Sequence, residues 1–396
     1  MSFDDLFWRP RRKMRVLMTT DAVGGVWTYT THLVGALVNR DVQVTMVSLG
    51  ALPNKNQLRD LESLPGVELI PTPFKLEWMK DSEADVDASK RFIMDVAEQV
   101  KPDIFHTNQF CFATLRLDVP KILVAHSDML SWWSWRFHKG ASDFAMEPFL
   151  VDYRQKVQRA LLSADTVVCP SAFMAENLSR FYDPGLQRLC VIYNGIPTGD
   201  TSRDLRKKRR IAVSVGRLWD EGKNAECVIQ AARSLPDLEF LMIGPTKGPD
   251  GNKLKSTPPA NVKLLGQLPP KTVWKLLGSA GIYIGPSLYE PFGLAPLEAA
   301  VSNCALVLSD IPSFKEIWED AALYFPPDAP DVLAERLRFM IDKPDVVCRH
   351  ATMARFRAFR FYTTEKMAEQ YHGLYVALIS SAGGKVPLPQ NIQHAH

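Results

Sequence analysis

Residues 211–235 read IAVSVGRLWDEGKNAECVIQAARSL, and the hydrophobic pattern of this stretch changes on either side of a central loop. Ile211–Val215 is a short apolar run typical of a strand buried on both faces, whereas Asn224–Leu235 has the spacing of an amphipathic helix. A second apolar run, Leu238–Ile243, follows the helix. The stretch therefore predicts a strand–loop–helix–strand unit, which joins neighbouring parallel strands.

The same alternation of apolar runs and helical patterns extends through most of the chain. Further strands are predicted at Met14–Thr19, Val42–Leu49, Asp103–His106, Lys121–His126, Thr166–Cys169, Leu189–Tyr193, Val262–Leu265, Gly281–Gly285 and Ala305–Leu308. We therefore predict an α/β protein of two Rossmann-like, doubly wound domains. Ligands of such folds bind at the carboxyl ends of the strands, here in the cleft between the two domains.

The segment Asn194–Arg210 is the expected hinge, because glycines, a proline and the basic run Arg206–Arg210 separate the two sets of strands. The basic run is interpreted as a solvated linker, with an anion or membrane contact as the alternative. The predicted organisation is an N-terminal domain over 1–195, a linker over 196–210, a C-terminal domain over 211–362, a C-terminal helix over 363–380 and a mobile tail over 381–396.

Composition excludes several classes of protein. The chain has 396 residues, 46% of them hydrophobic, which suffices for two cores, and its net charge of +3 argues against a nucleic-acid binder that depends on phosphate contacts. No apolar run has the length of a transmembrane helix, and the N-terminus lacks the apolar segment of a secretory signal. The six cysteines contain no C-x-x-C pair, which indicates buried thiols in a reducing, cytoplasmic setting.

Three segments carry candidate chemistry. In Gly216–Asn224, the two cations Arg217 and Lys223 can reach one diphosphate, although they could also be unpaired surface charges. The turn at Gly24 and Gly25 can present backbone N–H groups to an anion at a helix N-terminus, or it is merely a tight turn.

The third segment, Pro286–Ala300, carries two carboxylates eight positions apart. Glu290 lies in the loop after a strand, and Glu298 lies in the helix that follows Gly293. Carboxylates accept hydrogen bonds from hydroxyl groups, which sugar recognition requires, and the N–H groups of Gly293 and Leu294 can point at an anion. The alternative for Glu298 is an ordinary acidic residue of a first helical turn.

Gly216–Asn224 resembles the G-R-x(5)-K-N segment, and Glu290–Glu298 the E-x(7)-E segment, of the family 4 glycosyltransferases of the GT-B fold, a retaining group that uses nucleotide sugars. The order and spacing of these segments match from about Arg15 to Ser380. The resemblance implies the GT-B fold, with a C-terminal helix that returns to the N-terminal domain. The chain departs from the family at Asn303 and Ala305, which occupy the positions of a common glycine and proline.

The resemblance also implies roles for individual residues. Arg217 and Lys223 correspond to the diphosphate-binding pair, Glu298 to the carboxylate that holds the ribose, and Glu290 to the acid that contacts the donor sugar. The remaining implied donor contacts are the backbone N–H groups of Phe292, Gly293 and Leu294, the phosphate loop at Gly24 and Gly25, and a sugar-site histidine at His126. His126, Glu290, Arg217 and Lys223 are accordingly the expected catalytic group.

Acceptor contacts are expected just after His126. Three tryptophans lie within four positions at Trp132–Trp135, and aromatic faces can stack on sugar rings, although the cluster could equally be packed core. We predict Asp128, Trp132 and Arg136 as acceptor contacts.

No metal or other cofactor is expected, because two fixed cations and helix N-termini can stabilise a departing diphosphate. The one Asp-x-Asp triplet, Asp85–Asp87, is interpreted as a charged segment leading into a helix rather than a metal motif. The aromatic and basic segment Phe7–Lys13 is interpreted as a solvated leader, with contact to an anionic membrane as the alternative.

The sequence thus predicts a retaining glycosyltransferase that moves a hexose from a nucleoside-diphosphate sugar, UDP first, to a hydroxyl acceptor in polysaccharide or glycolipid assembly. Its partners would be the nucleotide sugar and a sugar or lipid-linked acceptor, with no nucleic acid. The alternatives are a GT-B-like sugar-nucleotide epimerase or phosphorylase, and a non-catalytic sugar-nucleotide binding protein. The complete set Arg217, Lys223, Glu290 and Glu298 argues against the last.

Overall fold

The computed structural model describes residues 12–22, 24–137, 147–182, 189–198, 208–248 and 251–381. Within these residues the chain forms a seven-stranded and a six-stranded parallel sheet with helices between the strands. The prediction of two Rossmann-like sheets is confirmed. Much of the expected linker (199–207), the leader up to residue 11 and the tail from 382 lie outside the described residues.

The first sheet has the strand order β3-β2-β1-β4-β5-β6-β7. Its elements are β1 Met14–Asp21, α1 Gly25–Val38, β2 Val42–Leu49, α2 Lys55–Glu62, β3 Val67–Pro71, α3 Glu83–Val100, β4 Ile104–Thr107, α4 Phe110–Ala113, β5 Lys121–Val124, α5 Met129–Phe137, α6 Pro148–Ser163, β6 Thr166–Cys169, α7 Ala172–Phe181 and β7 Leu189–Val191. From β1 the chain adds β2 and β3 on one side, then returns to add β4 to β7 on the other side, which is the doubly wound pattern.

The second sheet has the order β10-β9-β8-β11-β12-β13. Its elements are β8 Arg209–Val215, α8 Ala225–Arg233, β9 Glu239–Ile243, β10 Val262–Leu264, α9 Pro270–Ser279, β11 Ala280–Gly285, α10 Leu294–Val301, β12 Ala305–Ser309, α11 Pro312–Trp318, β13 Ala322–Phe325, α12 Pro330–Asp342, α13 Pro344–Phe361 and α14 Thr364–Ser381. All six residues of β11 are buried, as expected for a central strand covered on both faces.

Two strands have no counterpart in the sequence prediction. Both β3 and β13 lie at sheet edges, and three residues of β3 and two of β13 are only half-buried. An edge strand carries a weaker hydrophobic pattern, because solvent reaches one side of it. The prediction also placed His126 at the end of a strand, whereas β5 ends at Val124 and leaves His126 in the following loop.

The chain forms two compact units. The first comprises Met1–Val124, Arg159–Val167 and Ala368–His396, and the second comprises Ala125–Gln158 and Val168–Met367, in each case within the described residues. In the first unit, Tyr375 of α14 and His106 of β4 share a buried hydrogen bond of 2.7 Å. His106 therefore has a structural partner in the C-terminal helix. The second unit contains the second sheet together with the segment that follows β5.

Candidate functional site

The loop after β8 carries Arg217 in a defined orientation. Its Nε and Nη2 donate hydrogen bonds to Oδ2 of Asp220, at 3.1 and 2.7 Å. The Arg217 side chain remains 56% exposed, so part of its guanidinium faces solvent. The other carboxylate oxygen of Asp220 accepts the N–H of Gly222 at 2.9 Å and caps the 3₁₀ turn Glu221–Lys223. Asp220 thus orients Arg217 and begins the turn that ends at Lys223.

The ammonium of Lys223 forms an ion pair with Oε2 of Glu290. The side chains are 25% and 15% exposed, so the pair is shielded from bulk water but accessible. Two backbone-directed contacts join the loops that carry these residues. The side-chain amide of Asn224 donates to the carbonyl of Pro286 at 3.0 Å, and the N–H of Leu288 donates to the carbonyl of Gly222 at 2.9 Å. The structure therefore brings the sequence-predicted lysine and acid together.

Helix α10 begins immediately after this loop. Gly293 lies at its N-cap with φ of 95°, a left-handed conformation that favours glycine, and a Cβ there would come 3.0 Å from the Phe314 ring. The first N–H groups of a helix have no acceptor within the helix, so those of α10 point towards its N-terminal side. Phe292 is 2% exposed and packs against Tyr362, so only its backbone is available to a ligand.

Glu298 lies in the second turn of α10, where burial raises the pKa of its carboxyl to about 7. Among the described residues, none donates a hydrogen bond to this carboxylate or forms an ion pair with it. The charges of Glu290 and Glu298 both contribute to raising the pKa of Tyr283, after burial as the main cause, which places both carboxylates near one side chain. The Glu298 carboxylate therefore has acceptor oxygens that no described residue uses.

His126 follows β5 and is half-buried. Desolvation lowers the pKa of its imidazole to about 3, so the ring is neutral at physiological pH. The next residue, Ser127, donates a hydrogen bond of 3.3 Å to the hydroxyl of Tyr289, which immediately precedes Glu290. The segment of His126 is thereby joined to the loop of Glu290. A neutral ring there can exchange hydrogen bonds with a ligand but cannot neutralise a phosphate.

Asp128 is 3% exposed, and both of its carboxylate oxygens accept hydrogen bonds from groups of the protein. Oδ1 accepts hydrogen bonds from the N–H of Ser131 and the hydroxyl of Tyr182, each at 3.0 Å, and Oδ2 is bonded to the Ser131 hydroxyl. Asp128 therefore caps the N-terminus of α5. Its contact with an acceptor stays a prediction, and the structure gives it a structural role.

Replacing Asp128 by alanine should lower the free energy of unfolding by about 3 kcal/mol, from a lost helix cap and an unsatisfied Tyr182 hydroxyl. Urea denaturation followed by circular dichroism measures this change. The control is Asn54→Ala, which removes the exposed cap of α2 and should cost about 1 kcal/mol. A change for Asp128→Ala no larger than that of the control would contradict the capping role.

The tryptophans of α5 are half-buried and have contacts within the protein. The indole nitrogen of Trp135 donates to Oδ1 of Asn177 at 3.0 Å, and its ring packs against Phe173. Trp132 and Trp133 both pack against Phe137. Arg136 pairs with Glu221. Each tryptophan thus has a packing partner but keeps part of its surface exposed, and stacking of Trp132 on an acceptor stays a prediction.

Gly24 lies in the first unit, at the N-cap of α1, with φ of 76°, and Gly25 is the first residue of that helix. The left-handed conformation explains the glycine at position 24, and the role of the two glycines in phosphate binding stays a prediction. Asp85 lies in the first turn of α3, where an acid is favoured by the helix dipole. In the part of the chain that the structure describes, no three His, Cys, Asp or Glu side chains are grouped to hold a metal ion.

Sequence reasoning missed Asp220, Glu221 and Glu316 as parts of the site and its frame. Asp220 carried a usable signal, since an aspartate just before a Glu-Gly turn is a typical N-cap. Glu316 accepts the N–H groups of Ala172 and Phe173 at 2.7 and 2.8 Å and caps α7. No local signal could reveal this contact, because its partners lie more than 140 positions away. Among the described residues, no helix combines the length and apolar character needed to cross a membrane.

Comparison with known proteins extends this description. The model of the family described as Glycosyl transferases group 1 matches residues 199–356, and the model described as Glycosyltransferase Family 4 matches residues 23–200. Alpha-maltose-1-phosphate synthase of Mycolicibacterium smegmatis is 26% identical over 299 residues, which cover 66% of this chain and 74% of that protein. Glycogen synthase of Mycobacterium tuberculosis is 25% identical over an alignment of 430 positions, which covers 96% of this chain and 99% of that protein.

Solved structures show the same fold at low sequence identity. Sucrose-phosphate synthase from Thermosynechococcus elongatus superposes with a TM-score of 0.76 at 18% identity and covers 93% of this chain and all of that one. Anabaena Alr3699/HepE in complex with UDP and glucose superposes with a TM-score of 0.70 at 16% identity, covering 92% of this chain and all of that one. At these identities the likeness concerns the fold alone.

Proposed function

The chain belongs to the family 4 glycosyltransferases of the GT-B fold, with a group 1 domain in its second half, and on this premise we propose that it is a retaining hexosyltransferase with a UDP-sugar donor. The acceptor is a hydroxyl group of a sugar or glycolipid in polysaccharide or glycolipid assembly. Neither a metal ion nor another cofactor takes part.

One observation supports the proposal above all, namely that Arg217 and Lys223, both in the loop after β8, are each held by a carboxylate. When the bond between the sugar and the diphosphate breaks, negative charge develops on the departing phosphate. Lys223 is held by Glu290, and Arg217 is oriented by Asp220, so both cations are in place before this charge appears. Preorganised charges of this kind stabilise a transition state without reorganisation during the reaction.

The carboxylates complete the proposed donor site. Arrival of a diphosphate gives Lys223 a second anionic partner, which allows Glu290 to accept hydrogen bonds from hydroxyl groups of the donor sugar. Glu298, to which no described residue donates a hydrogen bond, accepts the ribose hydroxyls. The neutral imidazole of His126, joined to the same loop through Ser127 and Tyr289, contributes an uncharged hydrogen bond at the sugar.

Relatives guide the choice of substrates to test. The names of alpha-maltose-1-phosphate synthase and glycogen synthase favour a sugar phosphate or a glucan as acceptor. A structural neighbour, Alr3699/HepE, is described in complex with UDP-glucose, which makes UDP-glucose the first donor to assay. Lipid-linked acceptors and contact with a membrane remain predictions.

The proposal is tested with UDP-, GDP- and ADP-sugars, each with a sugar phosphate, a glucan and a lipid-linked acceptor. We expect acceptor-dependent release of UDP, a product with the anomeric configuration of the donor by NMR, and full activity in excess EDTA. Activity that EDTA abolishes and Mn²⁺ restores would refute metal independence. Product of inverted configuration would refute retention.

The alternatives give different results in the same assay. An epimerase would convert the UDP-sugar without forming a glycoside, and a phosphorylase would require inorganic phosphate or release a sugar phosphate. A binding protein would bind the donor without turnover in the presence of any acceptor. Each of these outcomes would refute the proposed transfer reaction but would leave the assignment of the GT-B fold unchanged.

A further inference from the structure

Helix α5 contacts the turn that ends at Lys223. The indole nitrogen of Trp132 lies 2.7 Å from the position that a Cβ on Gly222 would occupy, so the ring edge leaves space for glycine alone. One turn further along α5, Nε and Nη2 of Arg136 donate to Oε2 of Glu221 at 3.1 and 2.5 Å. Successive turns of α5 therefore contact the two residues that precede Lys223.

The same turn is fixed by other contacts. Lys255 forms an ion pair with the second carboxylate oxygen of Glu221 at 2.6 Å. Hydrogen bonds from Lys255 first, and then from Arg136, lower the pKa of the Glu221 carboxyl. The carboxylate is therefore ionised at neutral pH and bridges two cations. It lies on the wall of a cavity of about 330 Å³ and is 41% exposed, so water weakens each single ion pair.

These contacts hold the backbone from which Lys223 extends, and the ion pair with Glu290 then holds its ammonium. The backbone of Glu221 and Gly222 cannot shift without breaking the contacts to α5, and Lys223 follows directly in the chain. A displacement of about 1 Å in a reacting group can cost up to a hundredfold in rate. Because α5 begins just after His126 and is capped by Asp128, the helix also connects the histidine segment to the diphosphate loop.

We propose that Trp132 and Arg136 are positioning residues for Lys223, which hold the diphosphate-binding turn through Gly222 and Glu221. This inference rests on the proposed function and deepens it, because it makes donor binding depend on a helix that sequence reasoning assigned to the acceptor. It competes directly with the prediction that Trp132 and Arg136 contact the acceptor.

The test measures binding of UDP by calorimetry, without acceptor, together with kcat and the KM of each substrate. The variants are Arg136→Ala, Glu221→Gln, their double variant, Arg136→Lys and Trp132→Phe. We expect each of the first two to weaken UDP binding and to lower kcat/KM for the donor about fivefold, with the acceptor KM within twofold. The double variant should be no worse than the worse single one, because both remove the same contact. Arg136→Lys should bind UDP more tightly than Arg136→Ala but less tightly than the wild type. Trp132→Phe should lower the affinity for UDP and leave the acceptor KM within twofold.

The matched control is Glu319→Gln, because Glu319 also accepts two hydrogen bonds from one guanidinium, that of Arg357, at 2.6 and 2.9 Å. It should leave UDP binding unchanged, and thermal unfolding of every variant separates a local effect from general destabilisation. A raised acceptor KM with unchanged UDP affinity would overturn the inference in favour of an acceptor contact, and so would additive losses in the double variant. Wild-type protein that binds no nucleotide would instead refute the proposed function.

Discussion

Replacing Lys223 by alanine is expected to lower kcat for sugar transfer about a thousandfold, since one preorganised charge at a developing anion typically contributes a factor of 10² to 10³. Part of the effect should come from the partner, because the Glu290 carboxylate is only 15% exposed and loses its counter-ion. An uncompensated carboxylate beside the diphosphate repels it. The affinity for UDP should therefore also fall, about tenfold.

The two contributions can be separated with the double variant Lys223→Ala/Glu290→Gln. Removing the negative charge of Glu290 should restore most of the UDP affinity but little of kcat, because the cation that stabilises the departing phosphate is still missing. Steady-state kinetics with UDP-glucose and calorimetry with UDP supply the two measurements. Arg217→Ala should have a smaller effect, since its side chain is 56% exposed and water already screens its charge.

The matched control is Lys263→Ala. It removes an exposed lysine of the second sheet that forms an ion pair with Glu239 at 2.6 Å. This variant should keep wild-type kinetics. If Lys223→Ala kept more than a tenth of wild-type kcat, Lys223 would not stabilise the leaving group. The lysine would then serve only to hold Glu290.

Arg217, Lys223 and Glu290 could be predicted as parts of one site because each lies in a recognisable local motif after a predicted strand. Arg217, Lys223 and Glu290 lie in loops after β8 and β11, and parallel strands end at one edge of a sheet. Two loops after adjacent strands therefore come together without any knowledge of tertiary contacts. Glu298 could be predicted near the same site, because it lies on α10, which begins where the second loop ends.

The role of α5 could not be predicted, because it depends on contacts between residues far apart in the chain. Arg136 and its partner Glu221 are 85 positions apart, and nothing near Arg136 in the sequence identifies that carboxylate. A cluster of three tryptophans occurs both on surfaces that stack on sugars and in packed helices. The sequence alone therefore does not distinguish these two roles. Only the contacts with Phe173, Asn177 and Gly222 distinguish the two.

Asn303, where the sequence departs from the family pattern, has a backbone conformation that asparagine tolerates. Its φ is 61°, so the backbone there needs the left-handed conformation for which glycine is the common choice. Asparagine adopts this conformation more readily than most residues. Asparagine can therefore form the left-handed turn between α10 and β12 at this position.

The second large effect concerns the dependence of donor binding on pH. Because the pKa of Glu298 is about 7 in the unliganded protein, its carboxyl is mostly protonated at pH 5.5 and mostly ionised at pH 8. Ribose hydroxyls donate to the ionised form, so the affinity for UDP-glucose should fall about thirtyfold from pH 8 to pH 5.5. UDP-glucose is the suitable ligand because its diphosphate does not titrate in this range. His126, with a pKa of about 3, stays neutral throughout.

The variant Glu298→Gln should bind UDP-glucose weakly and equally at all these pH values, at about the level of the wild type at pH 5.5. Glu298→Ala should lower the affinity about a hundredfold at pH 8, which is the loss of two hydrogen bonds to a charged acceptor. Calorimetry at pH 8 in two buffers with different heats of ionisation should show release of only about a tenth of a proton. At pH 7, binding should release about half a proton. A wild-type affinity that does not change between pH 5.5 and pH 8 would rule out the ribose role of this carboxylate.

The raised pKa of Glu298 also predicts that folding stability falls as pH rises, whereas donor affinity rises. A carboxyl whose pKa is raised on folding binds its proton more tightly in the folded state, so stability falls as pH rises from the unfolded value of 4.5 towards 7. At pH 8 the folded protein contains an ionised, desolvated carboxylate to which none of the described residues donates a hydrogen bond. Glu298→Gln should therefore raise the free energy of unfolding at pH 8, by about 1–3 kcal/mol, and leave it nearly unchanged at pH 4.5. A residue kept for stability would behave in the reverse way. An acid that lowers the stability of the folded protein and strengthens donor binding is one whose hydrogen-bonding partner is the ligand.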